Sequence, residues 1–151
     1  MALLGSSTLL RARIVRLVLV LVGISPFLPP LTREIPGLQW IGWGLEQWFD
    51  AQCHRDPERS LVLFATVLPV CIRCLGIYLG LGFGALIMRP SLSSARLWLW
   101  VSVAGALMVT DVAVESLGWH KQWPLLRLIT GLLLSYPVGV ALVQAARGQR
   151  E

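Results

Sequence analysis

Four apolar runs, each 18 to 20 residues long, constrain this chain more than any other feature; they cover about 14–31, 70–88, 97–114 and 124–143. A helix that crosses the roughly 30 Å hydrocarbon core of a bilayer needs about 20 apolar residues. The runs therefore predict an all-α membrane protein, a four-helix transmembrane bundle with an external loop over 32–69 and a short interfacial helix, forming a single integral membrane domain over 1–151. Composition agrees. Of 151 residues, 56% are hydrophobic and 14% charged, against about 25% charged in ordinary soluble domains, which excludes a soluble globule. A formal charge of +5 is then a topology signal rather than a nucleic-acid groove. The expected partner is the lipid bilayer, with no nucleic acid, and a homo-oligomer or a membrane partner stays open.

The first run follows Arg11 and Arg13, contains Arg16, and is interrupted by Pro26, Pro29 and Pro30. Its proline-rich exit offers no small-residue cleavage site, so a retained helix is expected rather than a removed signal peptide. Over 38–52, Ile41, Leu45, Trp48 and Phe49 recur at helical spacing, and Trp40, Trp43 and Trp48 suit a membrane interface; packing on the bundle would give the same pattern. The stretch 61–88 is too long for one span and is broken by Pro69, so 61–68 reads as a separate segment and Pro69 as lying near the first turn of the span 70–88. Within that span Gly76, Gly80 and Gly84 form a stripe that lets another helix approach closely.

Arg11, Arg13, Arg16, Arg89, Arg96, Arg147 and Arg150 fall on one face with Glu151, while the other face holds Arg33, Arg55, Arg59, Lys121 and the remaining seven acids. Positive residues in short segments mark the cytoplasmic side. Both termini are thus expected in the cytoplasm of a prokaryotic inner membrane, with 32–69 outside. Arg73, Asp111, Glu115 and Arg127 then lie near the outer boundary. Asp111 and Glu115 are four apart and share a helix face, and Asp111 is expected to pair with Arg127 or Arg73. Charges at that depth usually face an interior or a cavity; snorkelling to the interface is the alternative.

Three cysteines cannot all be used in intramolecular disulfides. Cys53 is followed by His54, and Cys71-Ile72-Arg73-Cys74 places two thiols at an expected helix amino terminus. There the helix dipole and Arg73 favour thiolate. Cys53, Cys71, Cys74 and His54 match a closed zinc site by ligand count, for zinc or another thiophilic metal, with His54 either a ligand or a hydrogen-bonding support behind one. Arg55, Glu58 and Arg59 would shape the loop that presents Cys53. Two other readings stay open: thiol-disulfide chemistry coupled to a membrane quinone, and a structural disulfide with one spare thiol. A small transporter or membrane-complex subunit, with Asp111, Glu115, Arg73 and Arg127 lining a pathway, is a further alternative and would require oligomers. No phosphate-binding glycine loop, nucleophile elbow or His-Glu-x-x-His motif occurs, and no catalytic residue can be assigned.

The run Cys53-His54-Arg55-Asp56-Pro57-Glu58-Arg59-Ser60, followed by Pro69-Val70-Cys71-Ile72-Arg73-Cys74-Leu75-Gly76-Ile77-Tyr78, resembles the small bacterial and archaeal membrane proteins grouped as domain-of-unknown-function family 2085. The likeness spans roughly 45–142, and Asp111, Arg127, Thr130 and Gly131 are similar to later positions of that family. Leu75 stands where a small polar residue is expected, and Ala65 where glycine is common. The resemblance implies a multi-pass membrane protein with Cys, His, Arg and Glu clustered on one side. It implies no particular activity.

Overall fold

The computed structural model describes residues 2–53, 59–63, 66–87, 93–118 and 123–148, with side chains from Thr8 onward. The chain is mostly helical. Helix α1 (Ala2–Ile24) runs through a 3-10 turn (Ser25–Phe27) into α2 (Leu28–Arg33), and α3 (Gln39–Asp50) follows. Two strands, β1 (Ser60–Leu63) and β2 (Thr66–Cys71), precede α4 (Ile72–Ile87), α5 (Ser94–Ser116) and α6 (Pro124–Ala146).

Among the described residues three segments are long and apolar enough to cross a membrane: Thr8–Arg33, Ser94–Ser116 and Pro124–Ala146. The fourth expected span is shorter than the sequence suggests, because α4 has 16 residues, about 24 Å at 1.5 Å per residue. Its expected first residues, Val70 and Cys71, belong instead to β2, which pairs antiparallel with β1 through Ser60↔Cys71, Val62↔Val67 and Leu63↔Thr66. An all-α chain is thus corrected to a helical one carrying a β-hairpin, and Pro69 sits in a strand rather than a helical first turn. Proline is tolerated there because a two-stranded ladder consists only of edge strands.

The small-residue stripe does what its spacing predicts, and α6 answers it with a stripe of its own. A methyl added at Gly76 would overlap the Leu128 carbonyl oxygen, at Gly80 the Ser135 hydroxyl, and at Gly84 the Tyr136 carbonyl. Reciprocally, Gly131 lies against the Arg73 carbonyl and Gly139 against that of Leu81. The two backbones therefore touch, the arrangement small residues permit where lipid gives no hydrophobic drive between helices. On its other side α4 meets α1, with Gly23 on Gly82, and Ala12, Ala85 and Val143 cluster further along.

These contacts fix directions: α4 and α6 run parallel, with α1 antiparallel to both. Ion pairs from α5 to the first turns of α4 and α6 make α5 antiparallel to them as well. The start of α1, the start of α5 and the end of α6, bearing Arg11, Arg13, Arg16, Arg96 and Arg147, therefore gather at one end of the bundle.

Pro26 and Pro137 show how this apolar setting treats stray polar groups. Pro26 leaves the Val22 carbonyl without its helical donor, and the Ser25 hydroxyl donates to it at 2.7 Å. Pro137 does the same to the Leu133 carbonyl, which accepts the Trp100 indole N–H at 3.0 Å. In a medium without water such carbonyls need a partner from the protein, and Trp100 meets that need while tying α5 to α6.

Short helix α3 buries Phe49 and Gly42 and leaves Trp40, Trp43 and Trp48 64–71% exposed, so it both packs on the protein and presents an aromatic face outward. Phe49 joins Leu68, Val70 and Leu75 in a buried cluster bordered by Cys74 and Tyr78. Leu75 is thus part of the core, and the cluster forms the floor beneath the cysteines.

Candidate metal centre

Each cysteine arrives on a different element. Cys53 follows the last turn of α3, its N–H donating to the Phe49 carbonyl at 2.9 Å. Cys71 ends β2 and is held opposite Ser60 by the hairpin register. Cys74 lies in the first turn of α4. All three are free thiols, partly buried, and their sulfurs lie within 4.8 Å of one another. Four ligands at about 2.3 Å from a tetrahedral zinc would place their sulfurs about 3.8 Å apart, so small side-chain adjustments bring the trio onto one ion.

At Cys71 the surroundings favour the anionic form that metal binding requires. The Cys71 backbone N–H donates to Cys53 Sγ at 3.3 Å. Cys71 itself is held down at about 5, well below the ordinary thiol value of 9.0, chiefly by the Cys74 thiol donating to it; backbone N–H groups of Cys74 and Arg73 and the Cys53 thiol add to this, while burial opposes it. A folded value below the unfolded one means that the thiolate's stabilising contribution is present in full above the ordinary value and is lost as pH falls through about 5. In metal-free protein, iodoacetamide should therefore still label Cys71 at pH 6, and labelling should fade only toward pH 5. Mass spectrometry of the labelled peptide reads this directly, and loss of labelling already near pH 8 would show an ordinary thiol.

Beside the thiols stands a buried charge network. Arg73, between the two cysteines in sequence, turns toward α5: its Nη2 donates to Asp111 Oδ2 at 2.5 Å and lies 3.6 Å from Glu115. Arg127 clasps Glu115, with Nε donating to Oε2 at 3.1 Å and Nη2 donating to Oε1. Arg59, just before β1, reaches Glu115 at 3.8 Å. Asp111 and Arg127 are buried, at 8% and 4% exposure, which removes the snorkelling alternative. Arg73, one of the two partners expected for Asp111, pairs with it, and Arg127 pairs with Glu115. The Arg73 Nε is buried with no hydrogen-bond partner among the described residues. His54, Arg55 and Glu58 lie outside the described residues.

One neighbour escapes a reading based on motifs alone. The Tyr78 hydroxyl donates to Gln52 Oε1 at 2.5 Å, linking α4 to the residue before Cys53. Tyr78 is four residues after Cys74, on the same helix face, and that spacing is the signal that could have found it.

The family model described as a predicted membrane protein, DUF2085, matches residues 53–141. The chain belongs to this family. The DUF2085 segment begins at Cys53 and encloses every cysteine together with Arg59, Arg73, Asp111, Glu115 and Arg127, whereas α1, α2 and α3 precede it. An uncharacterised protein of Methanocaldococcus jannaschii is 31% identical over 91 residues, which cover 57% of this chain and 58% of that protein. An uncharacterised protein of Methanothermobacter thermautotrophicus is 33% identical over 92 residues, 60% of this chain and 79% of that protein. The chain thus spans little more than half the length of the first relative. No solved structure matches it significantly.

Proposed function

We propose that this protein is a membrane-embedded metal-binding protein in which Cys53, Cys71 and Cys74 hold zinc or another thiophilic ion at the outer face of a prokaryotic inner membrane. The observation that carries the reading is the convergence of three sulfurs, from three elements, within 4.8 Å. Charge supports it. Three thiolates around a divalent ion carry one net negative charge, and among the described residues Arg59, Arg73 and Arg127 exceed Asp111 and Glu115 by one positive charge. A neutral fourth ligand, His54 or water, leaves the ensemble balanced, as a poorly hydrated site requires. Bound metal would tie the end of α3 and the hairpin to α4, coupling ion binding to the fold.

In this reading α4 crosses as a short fourth helix between α1 and α6, with local thinning of the bilayer absorbing the mismatch. Both termini are cytoplasmic, because the arginine-rich end of the bundle lies opposite the cysteines.

Cobalt(II) substitution tests the donor set. The native chain should show thiolate-to-cobalt charge transfer that Cys53→Ser, Cys71→Ser and Cys74→Ser each weaken sharply. His54→Ala should abolish tight binding if the imidazole is a ligand, or lower affinity about 10- to 100-fold if it supports one. Absence of the band in native protein, or its survival in all three serine variants, contradicts the assignment.

A further inference from the structure

An open groove lies between α5 and α6, away from the cysteines. Its α5 side is formed by Arg96, Leu99, Val103, Ala104 and Leu107 with Trp100, its α6 side by Leu133, and its volume is about 520 Å³, within the usual range of small-molecule sites. Ala104, 4% exposed, is the floor, and Leu99, Val103 and Leu107, all more than half exposed, form a rim at helical spacing.

Two features identify the occupant. From Arg96 to Leu107 the groove follows eleven helical steps, about 16 Å, half the roughly 30 Å hydrocarbon core and so the depth of one leaflet. Among the described lining residues Arg96 alone is charged, and it sits in the first turn of α5, at the arginine-rich end of the bundle where that leaflet's headgroups lie. Its Nε donates to Ser93 Oγ at 3.2 Å, which holds the guanidinium at the groove's mouth. An apolar channel one leaflet deep, closed at headgroup level by a cation, has the shape and charge of a phospholipid.

From this we infer that the groove binds an anionic phospholipid, one acyl chain along Leu99, Val103 and Leu107 and its phosphate on Arg96. Basic pockets between transmembrane helices commonly take anionic headgroups. A second copy of the chain fits less well, since a two-fold axis along the membrane normal would bring two Arg96 side chains together at one depth, and like charges across an interface are unfavourable.

Native mass spectrometry of the full chain in detergent, titrated with phosphatidylglycerol or phosphatidylcholine of matched acyl chains, tests this. Phosphatidylglycerol should bind about fivefold more tightly, the worth of one arginine near a headgroup. Arg96→Gln should erase that preference, Val103→Trp should weaken both lipids by filling the groove, and Arg147→Gln should leave the preference intact. Equal affinities in the native chain, an unchanged preference in Arg96→Gln, or a lipid-free dimer that Val103→Trp breaks would each overturn the inference.

Discussion

Gly131→Leu and Gly76→Leu should each destabilise the protein in detergent by about 3 kcal/mol or more, the upper end of overpacking costs. What an added side chain meets at these positions is backbone, the Arg73 carbonyl for Gly131 and the Leu128 carbonyl for Gly76, and a backbone cannot turn aside as a flexible side chain can. The helices must separate. Separation would also carry Cys74 and Arg73 away from their partners, so metal affinity should fall with stability. Gly105→Ala is the contrast: the nearest atom to an added methyl there is Leu134 Cδ1 at 3.9 Å, ordinary contact, and alanine's better helix propensity should make the change neutral or stabilising by up to about 1 kcal/mol. Unfolding midpoints of the three variants against the native chain measure the difference. Equal midpoints for Gly131→Leu and Gly105→Ala would mean that α4 and α6 are not in backbone contact.

Asp111→Asn and Arg127→Gln should each cost about 3 to 5 kcal/mol, because removing one member of a buried ion pair strands the other in a poorly hydrated site. Arg33 and Glu46 are also paired, at 2.6 Å, but the Arg33 side chain is 41% exposed, so Glu46→Gln, which leaves Arg33 to solvent, should cost only about 0 to 1 kcal/mol. The comparison separates geometry from environment, since both pairs are short. A small, similar loss at both places would show that Asp111 and Arg127 are solvated in the membrane protein.

What the sequence made legible, and what it hid, follows from the range of each signal. Apolar runs placed α1, α5 and α6 because a long stretch with a single charge has few alternatives to a buried or membrane-crossing helix. The segment 61–68 was separable from the following span, yet short apolar runs do not distinguish strand from helix by periodicity alone. Val62, Val67 and Val70 were the β-branched hint, and the reach of a span back to Val70 obscured them. The pair Asp111 and Glu115 marked a shared face, but which arginine each takes depends on the rotation of α4 and α6, which spacing does not determine. The stripe Gly76, Gly80, Gly84 was visible at its regular period; its counterpart Gly131, Ser135, Gly139 was masked by a serine and by nearby Pro137. Grouping the three cysteines needed only their scarcity. Their convergence needed the hairpin that lays Cys71 beside Cys53.

The most direct measurement is elemental analysis of detergent-purified protein prepared without chelator, combined with a count of reactive thiols. About one thiophilic metal ion per chain is expected, zinc foremost, with Cys53, Cys71 and Cys74 shielded from alkylation until a chelator removes the metal. Metal-free protein carrying a Cys71–Cys74 disulfide that opens and closes with the membrane quinone pool would contradict the account and establish thiol redox chemistry in its place.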